Sequence, residues 1–217
     1  MTNSEQHIIK TALSHHRLEA LTDAVFAIVM TLLVLGLTVP MFTGNSMHSQ
    51  LSQLAEMWPK FASYFATFFL LGFIWSLQHR SFGFIKRIDS VFIWMHIISL
   101  MFIVLLPFST SLLGEYMRQQ LPVLIWEGNG FVCLVIAPIS WLYATGKYRL
   151  VDPDIDPHEV MMGKIMPLIS SAVVAIAMGV SYLNTIASMI IFVALFIFGV
   201  IITTVQGRIR VAEQVAK

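Results

Sequence analysis

The stretch RLEALTDAVFAIVMTLLVLGLTVP, from Arg17 to Pro40, decides the class of the fold. Beyond Asp23 it carries no charged side chain, and about 20 mostly apolar residues suffice for a helix to span a bilayer core. The stretch nevertheless begins with three ionisable side chains, Arg17, Glu19 and Asp23. Because a charge at membrane depth is costly unless it is paired, we expect a partner for Asp23 and a function for the apolar face beyond it.

The composition of the chain favours a membrane protein over a protein with an aqueous surface. Of its 217 residues, 57 % are hydrophobic and only 12 % are charged, whereas soluble domains carry about 25 % charged residues. The single cysteine, Cys133, excludes an intrachain disulfide. A net charge of +1 and the lack of a glycine-rich phosphate loop give no indication of a nucleic-acid or nucleotide partner. The polar N-terminal segment also predicts that the chain carries no cleavable signal peptide.

Six stretches of the chain are long and apolar enough to cross a bilayer as helices. The predicted spans are residues 19–39, 58–77, 90–113, 121–145, 162–182 and 185–205. Only Leu183 and Asn184 separate the last two, so we expect a tight helical hairpin with Asn184 in its turn. The pattern predicts an all-α fold and one integral membrane domain over residues 1–217.

The distribution of basic residues gives these spans a direction. Of the 13 lysine and arginine side chains, only Lys60 and Arg118 fall on the first and third connections, and the remaining eleven fall on the termini and on the second and fourth connections. Basic residues accumulate on the cytoplasmic side of membrane proteins. Both termini are therefore predicted to lie in the cytoplasm.

A narrow seam of residues follows one face of the first span, at the alternating three- and four-residue spacing of a helix–helix contact. The members of this seam are Leu21, Ala24, Ile28, Thr31, Leu35 and Thr38, with Leu32 beside them. One interpretation is that the seam packs against a neighbouring helix. The alternative is that copies of the helix meet around an axis and line a pore, because rings of isoleucine or leucine form constrictions and threonine hydroxyls offer oxygen ligands. One copy cannot enclose a pore, so the alternative requires an oligomer.

Asp23 lies one turn inside the same span, near a helix N-terminus that favours an anion. The sequence offers basic partners in Arg17 and in the connection HRSFGFIKRID, which contains His79, Arg80, Lys86 and Arg87. Such a cluster either fixes only the register of the helices or holds the cytoplasmic end of a pore-lining helix in place.

Two stretches of the sequence resemble the transmembrane protein 175 family of potassium channels and its short prokaryotic members. The first is RLEALTD, in which Arg17 and Asp23 keep the spacing of the family's Arg-x3-Phe-Ser-Asp motif, with Leu21 and Thr22 in place of its Phe and Ser. The second is FIWSLQHRSFGFIKRID, which is similar to the family's Trp-and-His segment and basic link. The matching residues in that stretch are Trp75, His79, Arg80, Arg87 and Asp89. Pro107 matches the proline that the family has in its third span.

The resemblance implies a homotetrameric, modestly selective potassium leak channel in the plasma membrane of a prokaryote, with the first helix of each subunit lining the pore. Ile28 would form the narrowest ring, and the further pore-facing residues would be Thr31, Leu32 and Leu35. The network that anchors this helix would consist of Arg17, Thr22, Asp23, His79 and Arg80. Its partners would be potassium and other monovalent cations, the bilayer and further copies of the chain. No cofactor, no metal other than the permeating ion and no enzymatic chemistry is expected.

Two other classes of function are open at this stage. A transporter or proton pathway would use Asp23, His79 and His96, whereas the plainer interpretation of His96 is a neutral side chain hydrogen-bonded within the bundle. A membrane enzyme or assembly factor would need a cofactor pocket or a catalytic set, and the sequence offers neither.

Two polar stretches admit a metal or proton interpretation. VDPDIDPHE, residues 151–159, alternates three aspartates in the manner of a calcium loop, but it lacks the turn glycine and the later bidentate glutamate. We therefore expect a solvated turn. The histidines His7, His15 and His16 precede the first span, either as a solvated segment or as groups whose protonation modulates entry to the pore.

Overall fold

The computed structural model describes residues 3–195, 197–199 and 201, with side chains from residue 15 onward. The α-helices, in chain order, are α1 (Asn3–Leu32), α2 (Met47–Glu56), α3 (Trp58–Phe84), α4 (Ser90–Glu115), α5 (Gln120–Thr145), α6 (Pro157–Ser181) and α7 (Thr185–Gly199). Short 3₁₀ helices follow two of them, at Leu33–Gly36 after α1 and at Gly146–Tyr148 after α5. The prediction of an all-α fold is confirmed over the described residues.

Among the described residues, five helical segments are long and apolar enough to cross a membrane. They are His15–Gly36, Trp58–Phe84, Ser90–Glu115, Gln120–Tyr148 and Pro157–Ser181. Each overlaps one of the first five predicted spans. The sixth predicted span, residues 185–205, lies partly outside the described residues, and its described part contains the shorter apolar helix α7.

Side-chain caps mark where two of the later helices begin, because a cap satisfies backbone N–H groups that have no partner within the helix. The Asp89 carboxylate accepts a hydrogen bond from the Phe92 amide at 2.9 Å at the start of α4. The Asn184 side chain accepts hydrogen bonds from the amides of Ile186 and Ala187, both at 3.0 Å, at the start of α7. Asn184 therefore occupies the turn of the α6–α7 hairpin, as predicted.

The acidic stretch before α6 forms a turn. The Asp152 carboxylate accepts a hydrogen bond from the Asp154 amide at 3.1 Å, and the Asp156 carboxylate accepts one from the His158 amide at 2.8 Å and caps α6. These two carboxylates bind backbone N–H groups of their own segment, which agrees with the solvated turn rather than with a calcium loop.

The core lies among α3, α4 and α5, with α1, α6 and α7 packed against its sides. Its fully buried side chains include Leu70, Leu71, Ile74, Ile103, Leu106, Trp126, Leu134 and Phe192. A polar contact crosses this core, in which the Trp126 indole donates to the Thr67 hydroxyl at 2.8 Å and the hydroxyls of Thr67 and Thr110 lie 2.7 Å apart. Because polar groups inside a membrane bundle need partners, this contact fixes α3, α4 and α5 relative to one another.

The α3–α4 and α5–α6 connections meet at one end of the bundle. The Leu150 carbonyl accepts hydrogen bonds from the amides of Lys86 and Arg87 at 2.8 and 3.2 Å. Asp89 accepts a hydrogen bond from the Tyr143 hydroxyl at 2.6 Å and pairs with Arg149 at 3.3 Å. Two membrane-crossing helices, α4 and α5, lie between these connections in the chain. The contact between the connections therefore agrees with the prediction from basic residues that both lie on the same side of the membrane.

Asp89 lies at the centre of this junction, and its pKa reflects the contacts. Burial raises the pKa of its carboxyl, but the hydrogen bonds from Tyr143 and the Phe92 amide, with the Arg149 guanidinium, lower it further than burial raises it. The net effect is a pKa below the ordinary value, so the junction favours an ionised Asp89.

Candidate ion-conduction site

The two faces of α1 differ sharply in exposure. Phe26 and Val29 are each 1 % exposed and pack into the core, whereas Ile28 is 57 % exposed and Leu35 is 71 % exposed. The described members of the predicted seam from Leu21 to Thr38 are all exposed, as is Leu32 beside them. The seam is therefore the face that a single subunit leaves uncovered.

The Thr31 hydroxyl lies within this exposed face. It donates its hydrogen to the Ile28 carbonyl at 2.7 Å. Since the only hydroxyl hydrogen is used in this bond, the oxygen keeps its lone pairs as acceptors. The arrangement offers an oxygen ligand one turn beyond Ile28.

The seam ends in a 3₁₀ turn that is packed closely against α4. A Cβ atom added at Gly36 would lie 2.7 Å from the Ser111 hydroxyl oxygen, a separation too short for two unbonded atoms. Glycine therefore permits the close approach of this turn to α4, and the approach positions Leu35 on the exposed face.

Asp23 has a partner on α3, and that partner is a tryptophan. The Trp75 indole N–H donates to the Asp23 carboxylate at 2.9 Å. The Trp75 ring stacks on the His79 imidazole, with ring centres 5.1 Å apart and planes inclined by 16°. The structure thus brings Asp23, Trp75 and His79 together, and this Asp23–Trp75–His79 cluster fastens α1 to α3. Trp75 was part of the motif that resembles the family, but the sequence interpretation assigned the pairing of Asp23 to basic residues.

Arg80, a predicted anchor of α1, contacts α6 in the structure. Its guanidinium pairs with the Glu159 carboxylate on α6 at 2.7 Å. Successive residues on a helix point about 100° apart, so Arg80 cannot face α1 while His79, its neighbour, lies beside Trp75. Arg80 instead fastens α3 to α6.

The other two predicted anchors do not reach α3. The buried Thr22 hydroxyl donates to the Leu18 carbonyl at 2.9 Å, a bond within α1 itself. Arg17 is exposed and forms no ion pair with any carboxylate in the part of the chain that the structure describes. Of the predicted network, only Asp23 and His79 therefore meet.

The segment that carries this geometry matches known potassium channels. A sequence model of the family described as endosomal/lysosomal potassium channel TMEM175 matches residues 17–107. A potassium channel of Chamaesiphon minutus is 31 % identical over 147 residues, which cover 66 % of this chain and 72 % of that protein. The chain belongs to the TMEM175 family. A potassium channel of Streptomyces collinus is 26 % identical over 172 residues, which cover 77 % of this chain and 82 % of that protein.

The fold agrees with a solved TMEM175 structure. The crystal structure of a lysosomal potassium-selective channel TMEM175 homolog from Chamaesiphon minutus aligns with a TM-score of 0.77 at 25 % identity, and covers 87 % of this chain and 97 % of that one. The alignment extends over more of the chain than the family match at residues 17–107 does, so the later helices also follow the TMEM175 fold.

His96 of this TMEM175 chain lies apart from the Asp23–Trp75–His79 cluster. It is buried between the rings of Phe82 and Phe92, with ring centres 4.8 and 4.7 Å away. Neither imidazole nitrogen has a hydrogen-bond partner among the described residues. His96 is therefore a buried core residue, but the expected hydrogen bond to another protein group is not formed among the described residues. No described contact joins His96 to Asp23 or His79, as a proton path would require.

Glu127, early in the fourth predicted span, was expected to face a vestibule or to reach the outer interface, but the structure buries it. Its side chain on α5 is fully buried and hydrogen-bonds to the Ser188 hydroxyl on α7. That hydroxyl also lies 2.9 Å from the Ala177 carbonyl on α6. The contact ties α5 to the α6–α7 hairpin, well away from the α1 seam.

Three side chains with metal-ligating atoms lie together near the start of the first span. His15, His16 and Glu19 each offer one such atom within 4.8 Å of the others, and the His16 imidazole lies 3.7 Å from the Glu19 carboxylate. His16 is exposed, which agrees with the solvated interpretation of this histidine, while His15 also packs against Phe82 at 5.7 Å between ring centres. The side chain of His7 lies outside the described part.

Proposed function

We propose that four copies of this chain assemble into a potassium-selective leak channel, with α1 of each copy lining a central pore. The observation that carries the proposal is the exposed, uncharged seam of α1, whose opposite face is buried in the subunit core. Four such seams around an axis form the rings that a hydrophobic constriction requires. The TMEM175 family and the two relatives named potassium channels support potassium as the conducted ion.

Ile28 forms the narrowest ring in this proposal, and Leu32 and Leu35 extend the apolar passage. An aliphatic ring offers a cation no oxygen ligands, so the ion keeps part of its hydration shell as it passes. The Thr31 hydroxyl oxygen, whose hydrogen is bound to the Ile28 carbonyl, compensates for part of the lost hydration. Selectivity for potassium over sodium is accordingly modest, and transport is passive, without covalent chemistry.

The Asp23–Trp75–His79 cluster sets the orientation of the conducting helix. Trp75 holds Asp23 through one hydrogen bond and His79 through ring stacking. The hydrogen bond joins α1 to α3, whereas the two stacked rings both belong to α3. The Thr67–Trp126–Thr110 contact fixes α3 in turn to α4 and α5. The cluster therefore transmits the rigidity of the bundle to the cytoplasmic end of α1.

The remaining features of the proposal concern topology. We place both termini in the cytoplasm and propose that α7 belongs to a sixth span, so that residues 1–217 form one channel domain. Eleven basic residues on the cytoplasmic connections and termini support this direction. We propose the plasma membrane of a prokaryote as the location of the channel, because the two named relatives come from Streptomyces collinus and Chamaesiphon minutus.

Ion flux from liposomes tests the proposal. Purified protein is reconstituted with opposed potassium and sodium gradients, and we expect passive, non-saturating cation flux with potassium preferred. Ile28→Asn places a hydrated side chain at the constriction and raises the flux per assembled channel. Ile176→Asn is the matched control, because Ile176 is similarly exposed, at 61 %, but lies on α6. Unchanged or reduced flux in Ile28→Asn, or an equal gain in the control, would count against the pore.

Cysteine cross-linking tests the assembly. With Cys133 replaced by serine, Leu35→Cys introduces one thiol on the proposed pore axis, and Ile176→Cys introduces one on the outer surface. We expect Leu35→Cys subunits to form covalent dimers under mild oxidation, because four thiols meet at one axis. Dimers in Ile176→Cys alone, or in neither variant, would contradict the arrangement.

The rival proton transporter would show pH-driven, saturable flux without single-channel currents.

A further inference from the structure

A small cavity lies among α3, α4 and α5, behind the face of α3 that holds α1. Its volume is about 20 Å³, and the polar side chains that line it include Gln78, His96 and Ser140. These three side chains come from three different helices, and each belongs to a residue more than nine-tenths buried. The rings of Phe92 and Trp141 cover other parts of the cavity wall.

Four polar atoms of the residues that line this cavity have no hydrogen-bond partner among the described residues. They are the Gln78 side-chain oxygen, both imidazole nitrogens of His96 and the Ser140 hydroxyl oxygen. The Gln78 amide nitrogen, by contrast, donates to the Ser99 hydroxyl at 3.3 Å. Buried polar atoms are rarely left unpartnered, because each then keeps the full cost of its desolvation. The convergence of four such atoms on one cavity therefore indicates a missing common partner.

The size and chemistry of the cavity match a single water molecule. A buried water needs at least 10–15 Å³ of accessible volume and two to four polar partners, and this cavity supplies both. A water can donate to the Gln78 oxygen and to the unprotonated nitrogen of His96, and can accept from the Ser140 hydroxyl. An apolar occupant would leave all of these atoms unpartnered.

A second cavity of about 40 Å³ lies beside the first. It shares Ser81, Ala137 and Trp141 with the first cavity, and its wall includes the Arg80–Glu159 ion pair. The two cavities are therefore adjacent.

We propose that each subunit binds a structural water molecule in the Gln78–His96–Ser140 cavity, where the water joins α3, α4 and α5. This site is separate from the conduction path, and it does not depend on the proposed function. Of the charged side chains near the cavity, Arg80 pairs with Glu159, and Asp89 binds Tyr143 and Arg149. No lysine, arginine, aspartate or glutamate lines the cavity among the described residues. The partner that His96 binds is therefore a small neutral molecule rather than a charged side chain.

Radiolytic hydroxyl labelling of the wild-type channel tests the site directly. Water bound beside a buried ring generates hydroxyl radicals there, so Phe92, which lines the cavity, becomes oxidised although it is only 1 % exposed. Phe192 is the control, because it is fully buried and packs against Trp126 instead. We expect oxidation of Phe92 at several times the rate of Phe192, and equal low rates would overturn the proposal.

A double-mutant cycle provides the second test, with thermal unfolding as the readout. If a water joins them, Ser140→Ala and His96→Leu each lower the unfolding midpoint by about 2–4 °C, and the double variant loses less than the two shifts combined. Ser171→Ala is the control partner for His96→Leu, because the buried Ser171 hydroxyl donates to the Pro167 carbonyl of its own helix; that pair should be additive. If the cavity is dry, each substitution should instead raise the unfolding midpoint, because it removes a buried polar atom that has no partner. A raised midpoint, or additive shifts for Ser140→Ala and His96→Leu, would overturn the proposal.

Discussion

The exposed face of α1 and the interior of the α3–α5 bundle reverse the distribution of polarity found in soluble proteins. On α1, the uncovered side chains are aliphatic, such as Ile28 and Leu35, whereas the bundle buries Gln78, His96 and Glu127. In a bilayer an apolar side chain gains little by leaving lipid, while a polar one gains much by finding a partner. The comparison teaches that contacts, and not hydrophobicity, decide which face of a membrane helix is interior.

The largest test of this comparison sets two leucines against each other. Leu70 is fully buried in the core and Leu35 is exposed on the seam. We expect Leu70→Ala to lower the free energy of unfolding by about 3 kcal/mol, because it leaves a cavity. Leu35→Ala should change it by less than about 0.5 kcal/mol. Denaturant unfolding of the purified protein measures both, and equal losses would show that the seam is a packing surface.

Two ion pairs of equal length provide the next test. Arg80–Glu159 and Lys60–Glu115 both measure 2.7 Å, but the Glu159 side chain is 7 % exposed and that of Glu115 is 53 % exposed. Arg80→Ala should cost about 2 kcal/mol of stability, since it removes the ion-pair partner of a buried carboxylate. Lys60→Ala should cost less than about 1 kcal/mol. If unfolding midpoints fall equally in the two variants, burial does not distinguish these pairs.

A smaller effect is expected at the junction of the two regions. Trp75→Phe removes the indole N–H that binds Asp23 but keeps an aromatic ring to stack on His79. We expect a loss of about 1 kcal/mol in stability, together with reduced flux per channel, because α1 loses the hydrogen bond that joins it to α3 in the cluster. Trp94→Phe, at an exposed tryptophan on α4, serves as the control and should leave flux unchanged.

The smallest effect concerns Asp89, whose pKa lies below the ordinary value of 3.8. A lowered pKa means that the folded chain favours the ionised carboxylate, so the stabilisation is present above the ordinary pKa and is lost as the pH falls through the folded-state pKa. Tyr143→Phe removes one hydrogen bond to Asp89 and should flatten this acid-side loss. Unfolding midpoints measured between pH 3 and pH 6 give the comparison, and identical acid-side slopes in both proteins would contradict it.

The sequence predicted the helical class and the first five spans because hydrophobic runs of that length have no other stable arrangement in a bilayer. It also predicted the members of the α1 seam, through spacing, and the turn at Asn184, but the spacing left open whether a neighbouring helix covers the seam. The anchoring of α1 was predicted only in part. Asp23 and His79 do meet, but through Trp75, and no rule of charge pairing selects an indole donor over the nearby arginines.

The corrections share one physical cause. Arg80 pairs with Glu159, which is 79 residues away in sequence. His96 is enclosed by rings of α3 and of its own helix, and Glu127 binds Ser188 on α7. One-dimensional patterns report the face of a helix on which a residue lies, but not which helix covers that face.

The sequence by itself determined the all-helical class of this chain, its long apolar segments and the composition of the α1 seam, and it predicts the direction of the helices. These properties follow from local hydrophobicity and the placement of charge, which act within a single segment. Only the tertiary structure decided that the seam is left uncovered, that Trp75 holds Asp23, and that polar groups of three helices converge on one cavity. Those outcomes depend on which helices pack together, and packing is a property of the whole bundle.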